Sequence, residues 1–435
     1  EELSPDEEEG TSSGRRALTA MRVLSTSLAL LVGAAGATAA EEMRGPGDGC
    51  VVVTGATGFV GGHITKLLLE KGYTVHGTVR SLYTSRNHKY LQEIAAKTPG
   101  TLKLFRAGLE DKDPFTKVAK GCWGFFHVAS QVIPDRDLEH LQVDLSINGT
   151  LSALEAAKAG GLSTVVLTAS TATIAPNSEH SARGEPSDES DWNDKATPSY
   201  GRYAYSKVRA EKTANAWMIK NNHPFRLTTI HFPLAIGPQL EKRVTSSNAV
   251  VSVLMRGALP LVPPMQWNVV DIRDVARAHV LLMENPRAQG RYIVAIPPKV
   301  SSLSVLNMSQ ILLKHFPDYP IPSIEMPLWL ARFVGLFDLR LDSYTLDIAV
   351  RGRHPGYDGS KITRELGFEY QHTNTEQTLV DAANSMIEFG IADGWRHLLR
   401  PVIAIVVAPF LLAYVIYLVS KWTCCAPSEP KRKAE

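Results

Sequence analysis

The chain has 435 residues, 44% of them hydrophobic and 21% charged, with 46 Lys and Arg balanced by 44 Asp and Glu for a formal net charge of +2. That length buries a sizeable core, as one large catalytic domain with appendages or as two modest domains, and the near-neutral balance argues against a nucleic-acid partner. No CxxC pair, HExxH or clustered His and Asp set occurs, so no metal site is expected. Residues 1–20 carry the acidic run Asp6 to Glu9 without an initiating Met and read as a disordered leader or a gene-model extension. From Met21 a basic Arg22, an uncharged stretch rich in Leu and Ala, and small residues up to Ala40 describe a secretory signal peptide or N-terminal anchor at 21–40.

From Cys50 to about His231, short β-branched runs alternate with helical patterns, the signature of βαβ units and a parallel sheet. Strands are predicted near 50–54, 73–79, 102–106, 123–128, 163–169 and 225–231, with amphipathic stretches at Ile64 to Glu70, Leu138 to Lys158 and Tyr203 to Ile219. The expected fold is α/β: a Rossmann-type doubly wound parallel sheet over about 50–231, with a smaller, interleaved C-terminal substrate lobe over about 232–390 inside a catalytic domain of 48–395. Cys50 stands at the start of one of these predicted strands and Cys122 just before another, and no structural disulfide is expected. Pro401 to Ser420 is an uncharged run of about 20 residues, long enough to cross the hydrocarbon core as a transmembrane helix. Cys424 and Cys425 beside it are candidates for palmitoylation, and 421–435 forms a basic tail.

Val51-Val52-Val53 runs directly into Thr54-Gly55-Ala56-Thr57-Gly58-Phe59-Val60-Gly61, and the helical pattern begins at once with Ile64, Leu67 and Leu68. In that context Gly55 permits a tight turn, Gly58 lets backbone approach a pyrophosphate, and Gly61 allows close helix packing. The helix N-terminus with Thr57, Phe59 and Val60 then offers free N–H groups to the anion. The second strand ends in Arg80 where an acidic residue would grip a ribose hydroxyl; a guanidinium instead matches a 2′-phosphate, so NADPH is expected over NADH, with Lys89 as a second positive charge.

Tyr203 and Lys207 stand four residues apart, on one face of a helix. A neighbouring ammonium favours the phenolate and is expected to lower the phenol pKa into a working range for acid catalysis. Ser170 sits at the end of the strand around Thr164 to Leu167, where strand C-termini form the ligand crevice of such sheets. Thr171 is a weaker substitute for Ser170, and Tyr205, with Arg209 four residues beyond it, remains open as an alternative to Tyr203 on chemistry alone.

With these residues in place the chain resembles the extended short-chain dehydrogenase/reductase superfamily, nearest its dihydroflavonol reductase, cinnamoyl-CoA reductase and methylglyoxal-type carbonyl reductase branch. Further matching blocks are Thr78-Val79-Arg80, Phe126-His127-Val128-Ala129, Asn148-Gly149-Thr150, Gly237-Pro238, Val270 to Ala276 and Gly290 to Ile293. The resemblance implies reduction of an aldehyde or ketone. Ser170 would bind the carbonyl oxygen, Tyr203 (now preferred to Tyr205) act as acid, Lys207 hold the ribose, and Pro233 orient the nicotinamide, with Leu109 and Ala129 lining the cofactor. Gly108-Leu109 and Ala129-Ser130-Gln131 depart from the family's usual Asp-Leu and Ala-x-Pro at those places. The competing readings are a 3β-hydroxysteroid or sterol dehydrogenase, a nucleotide-sugar epimerase, and a non-catalytic NADPH-binding membrane scaffold. The expected partners are a small carbonyl substrate, lipophilic if the membrane span sets its character, and the membrane through 401–420. Lys421, Lys431, Arg432 and Lys433 follow that span, which favours a cytosolic tail and a luminal catalytic domain in the endoplasmic reticulum. The alternative is a tail-anchored protein with a cytosolic domain.

Overall fold

The computed structural model describes residues 43–83, 88–111, 113–130, 141–174, 183–244, 246–336, 343–350 and 355–392. The stretches 1–20, 21–40, 401–420 and 421–435 lie outside the described residues. Among the described residues no helix is long and apolar enough to cross a membrane. The fold lies in the unit from Gly45 onward.

Six strands form where the β-branched runs predict them: β1 Cys50–Val53, β2 Thr74–Val79, β3 Thr101–Arg106, β4 Cys122–His127, β5 Thr164–Thr168 and β6 Arg226–His231. They pair in parallel in the order β3-β2-β1-β4-β5-β6. After β7 (Leu234–Ile236) and β8 (Gln266–Asp271), β9 (Gly290–Ile293) extends the same sheet beside β6, a seventh strand that the residue pattern alone did not reveal. Val51, Val52 and Val53 are fully buried because both faces of the sheet are covered, which is why the strand is a continuous apolar run rather than an alternating one. On one face α1 (Phe59–Glu70) packs Ile64 and Leu68 into a cluster with Val275, Ala278 and Leu282 of the helix Ile272–Glu284. On the other, Leu154 and Ala157 of α2 (Leu141–Ala159) meet Ala214 and Trp217 of α3 (Arg202–Lys220). The sheet is therefore doubly wound, and its strand order reverses between β1 and β4, the place where such sheets open a ligand crevice at their C-terminal ends.

The lobe beyond residue 232 has its own sheet, with β7 parallel to β8 and β10 (Ser302–Ser304) antiparallel to it. Its core gathers Ile236, Leu254, Met308, Leu312, Leu379 and Met386. Asp271 ties this lobe together. Its carboxylate accepts from the Arg273 backbone at the start of a helix and from Thr378 Oγ1 at 2.8 Å, while Arg273 also reaches Asp381 at 2.7 Å.

The cysteine expectation is corrected. Cys50 and Cys122, 72 residues apart, are bonded as a disulfide. They are register partners at the N-terminal ends of neighbouring parallel strands, and an irregularity directly after them leaves the two side chains facing one another. His76 lies beside both sulfurs, making the one group among the described residues with metal-ligand spacing. The sulfurs are already spent on each other, and His76 Nδ1 lies 2.8 Å from the Val118 carbonyl, so its proton is directed there.

Candidate active site

The glycine-rich turn sits between the end of β1 and α1. Gly55 has φ of +64°, and a Cβ there would come within 3.1 Å of the Ala129 backbone. A Cβ on Gly61 would overlap the Gly55 carbonyl, so the helix can approach the turn only with glycine at that place. Gly58 is the N-cap of α1 and supplies no side-chain acceptor to it. The first N–H groups of the helix, from Phe59, Val60 and Gly61, are thus left for a ligand anion. Thr54 braces the floor: its hydroxyl accepts from the Val128 and Ala129 N–H groups at 3.0 Å each, locking the end of β4 against the turn. Thr57 lends its carbonyl to Arg243 at 2.8 Å; that guanidinium also pairs with Glu241 and lines a small crevice with Thr57, Gly58 and Phe59. Sequence reasoning missed Arg243, because it lies 186 positions away and belongs to no recognised block.

Arg80 follows β2 directly and is exposed. Lys89 is exposed and engaged with Glu93 at 3.3 Å within its own helix. Leu109 and Ala129 line one cavity together with His127, Thr168, Lys207 and Glu211. Where the family pattern has an Asp beside Leu109, Asp111 instead turns its carboxylate to the Gly108 N–H at 2.7 Å.

The three predicted catalytic side chains converge at the C-terminal ends of the strands. Ser170 closes β5 and caps the short turn after it, accepting from the Ala172 N–H at 3.1 Å. Tyr203 lies in the first turn of α3 and exposes 37% of its surface. The rest of the side chain lies open, but burial around the phenol raises its pKa, and the neighbouring Ser170 side chain partly offsets this. Lys207 is not among the groups that shift it here. Lys207 Nζ, in a buried residue, is directed to the Thr168 carbonyl at 3.4 Å. A phenol that stays protonated is, however, the state from which an acid must begin. Burial brings the Lys207 ammonium down to about 8, against the opposing charge of Glu211. Thr171 is buried with its hydroxyl toward the Phe232 carbonyl. Tyr205 packs beside Ala204 and Tyr344, and Tyr200 bonds Asp347 at 2.9 Å. Pro233 follows the end of β6, on the same rim as Ser170.

Beneath Ser170 and Lys207 lies a polar layer in which Arg291 comes from the Gly290 to Ile293 block and Glu211 from none of the matching blocks. Glu211 Oε1 accepts from Arg291 Nε at 2.8 Å and Thr229 Oγ1 at 3.2 Å, with His231 Nε2 also at 3.2 Å. Arg291, on β9, further donates to the Glu189 and Asp191 carbonyls and lies 4.0 Å over the Trp192 ring, pinning the loop that leads to α3.

A doubly wound parallel sheet with a glycine-rich turn and a Ser, Tyr and Lys set at its strand ends defines a Rossmann-type nucleotide-binding protein. The chain belongs to the NAD-dependent epimerase/dehydratase family, whose model matches residues 51–295. It is 31% identical over 355 residues to cinnamoyl-CoA reductase 1 of Arabidopsis thaliana, covering 80% of this chain and 92% of that one. It is 32% identical over 300 residues to a Vitis vinifera anthocyanidin reductase, covering 66% and 86%. Among solved structures, yeast methylglyoxal/isovaleraldehyde reductase Gre2 complexed with NADPH matches with a TM-score of 0.64 at 25% identity, covering 78% of this chain and 99% of that one. Vestitone reductase from alfalfa (Medicago sativa L.) matches with a TM-score of 0.59 at 27% identity, covering 79% and 99%.

Proposed function

We propose that this chain is an NADPH-dependent oxidoreductase that reduces an aldehyde or ketone of a small molecule to an alcohol. What supports the reading is that Ser170, Tyr203 and Lys207 lie at the C-terminal ends of the strands whose glycine turn a single added Cβ at Gly55 or Gly61 would crowd. The cradle suits a dinucleotide: bare helix N–H groups for its pyrophosphate and Arg80 for a 2′-phosphate. Bound there, NADPH supplies the hydride for the carbonyl carbon. Ser170 holds the carbonyl oxygen by its hydroxyl, and Tyr203, protonated at neutral pH, donates the proton that the oxygen takes up. Lys207 holds the ribose and places a positive charge near the developing alkoxide. By the same resemblance Pro233, just beyond β6, would orient the nicotinamide. The names of the relatives, cinnamoyl-CoA reductase and anthocyanidin reductase, support carbonyl reduction as the reaction class. The test is NADPH consumption by the purified protein across a panel of aldehydes, ketones and thioesters; no turnover with any of them would favour the non-catalytic binding reading.

We further propose that 401–420 tethers the enzyme to the endoplasmic reticulum with the catalytic domain in the lumen. The stretch at 21–40 and the basic tail support this in sequence, and the Cys50–Cys122 disulfide suits an oxidising compartment. Protease digestion of sealed microsomes decides it: a domain cleaved without detergent is cytosolic.

A further inference from the structure

Glu211 stands one helical turn beyond Lys207 on α3, so the two side chains share a face. It is almost wholly buried, yet its two oxygens are treated differently. Oε1 gathers Arg291, Thr229 and His231, whereas Oε2, equally buried, meets no hydrogen-bond donor among the described residues. The cavity under the catalytic set is lined by both Glu211 and Lys207.

We infer that Glu211 is a positioning residue: a fixed buried anion that keeps Lys207 an ammonium and, through His231, steadies Ser170. The inference rests on the roles proposed for Lys207 and Ser170 in carbonyl reduction. Two lines of geometry carry it. The first is charge. Lys207 shares a helix face and the lining of one cavity with Glu211, is directed to the Thr168 carbonyl of β5 and lies near His127 of β4, and among the described residues Glu211 is the carboxylate that acts on it. His127 cannot share the task, since burial and the Lys207 charge hold its imidazole neutral, with a pKa of about 3. Burial alone would push Glu211 up, but His231 and Arg291 outweigh it and bring Glu211 to about 2, an anion throughout the working range. The second is connection. His231 lies 3.2 Å from the carboxylate by Nε2, while its Nδ1 lies 2.9 Å from Thr173 Oγ1 and 3.2 Å from the Ser170 carbonyl. One carboxylate thus touches the supports of both the ammonium and the serine.

The test replaces Glu211 by Gln in the full chain. The amide keeps an oxygen for Arg291 and sets its NH2 where no donor had been met, so the substitution removes charge while preserving shape. Lys207 then loses its counter-charge, and the alkaline limb of kcat/KM for carbonyl reduction moves down by about one pH unit or more. NADPH affinity measured by fluorescence at pH 8 weakens several-fold, and both return toward wild type in Glu211→Asp. Arg291→Gln is the control, because it breaks the ion pair but leaves the Glu211 charge: its alkaline limb stays in place or moves up. An unmoved limb in Glu211→Gln, or an equal downward move in Arg291→Gln, overturns the inference. If Glu211→Gln fails to fold, the Asp and Arg291 variants still decide, since a limb lowered in Arg291→Gln contradicts it. Full activity in Lys207→Met would instead sink the underlying reading of the site.

Discussion

Replacing Lys207 by Met should abolish turnover and yet make the cofactor-free protein more stable at neutral pH. The residue is 9% exposed, and the bond from its ammonium to the Thr168 carbonyl is long at 3.4 Å. Burial brings its pKa from 10.5 to about 8, even with Glu211 pulling the other way. Because the folded-state pKa lies below the unfolded one, the unfolded chain binds this proton more tightly. The cost to the fold is therefore complete below about pH 8, shrinks as the pH rises toward 10.5, and is gone above it. At about 1.4 kcal/mol per pH unit the gap is worth about 3 kcal/mol, an upper figure since Met also loses the weak bond and leaves Glu211 to Arg291 and His231 alone. A gain of about 1–3 kcal/mol corresponds to several degrees in Tm. Thermal melts of wild type and Lys207→Met without cofactor, at pH 7 and again near pH 10, measure both the sign and its pH dependence. A variant less stable than wild type at pH 7, or a difference that does not narrow toward pH 10, refutes the electrostatic reasoning for this site.

Arg80→Asp should weaken NADPH binding by about tenfold or more while sparing NADH, since it removes a guanidinium from the end of β2 and adds repulsion toward a 2′-phosphate; equal kcat/KM for the two cofactors in the wild type would remove the basis for this. Cys122→Ser opens a cross-link spanning 72 residues and should cost about 4 kcal/mol on the loop-entropy model, read as a lower urea midpoint. Since that bond lies at the far end of the strands from Ser170, kcat of the surviving folded enzyme should change little; a midpoint unchanged from wild type would mean the cysteines are not paired in solution.

The sheet was legible because burial on both faces leaves unbroken apolar runs, such as Val51 to Val53, that no other element needs. The glycine turn was legible for a related reason: Gly55 and Gly61 are demanded by backbone contacts, that of Gly61 only six residues away and that of Gly55 at the end of the neighbouring strand. What stayed hidden depends on register or on long-range packing. β9 is four residues long and becomes a strand only by lying beside β6, and the disulfide needed the alignment of Cys50 with Cys122 across two separate strands. Tyr203 and Lys207 stand on one helix, four residues apart, as the spacing predicts, but the direction of the phenol shift could not be read from spacing. Spacing brings the two side chains near one another, whereas the shift depends on how deeply the phenol is enclosed and on where Lys207 Nζ points. Arg291 stood inside the Gly290 to Ile293 block, but its pairing with Glu211 escaped notice because a buried ion pair between α3 and β9 leaves no local pattern that joins the two segments.

Whether Tyr203 gives the proton that completes carbonyl reduction is decided by a single variant. Tyr203→Phe is mixed with NADPH and a carbonyl substrate that the wild type reduces, while cofactor binding and absorbance loss are followed in the same sample. NADPH should still bind within a few-fold of wild type, because the cradle at Gly55 to Gly61 and Arg80 is untouched, and the rate of NADPH oxidation should fall by about 100-fold or more. Turnover by this variant at a rate near that of the wild type would contradict the mechanism and pass the acid's role to another group, Tyr205 first.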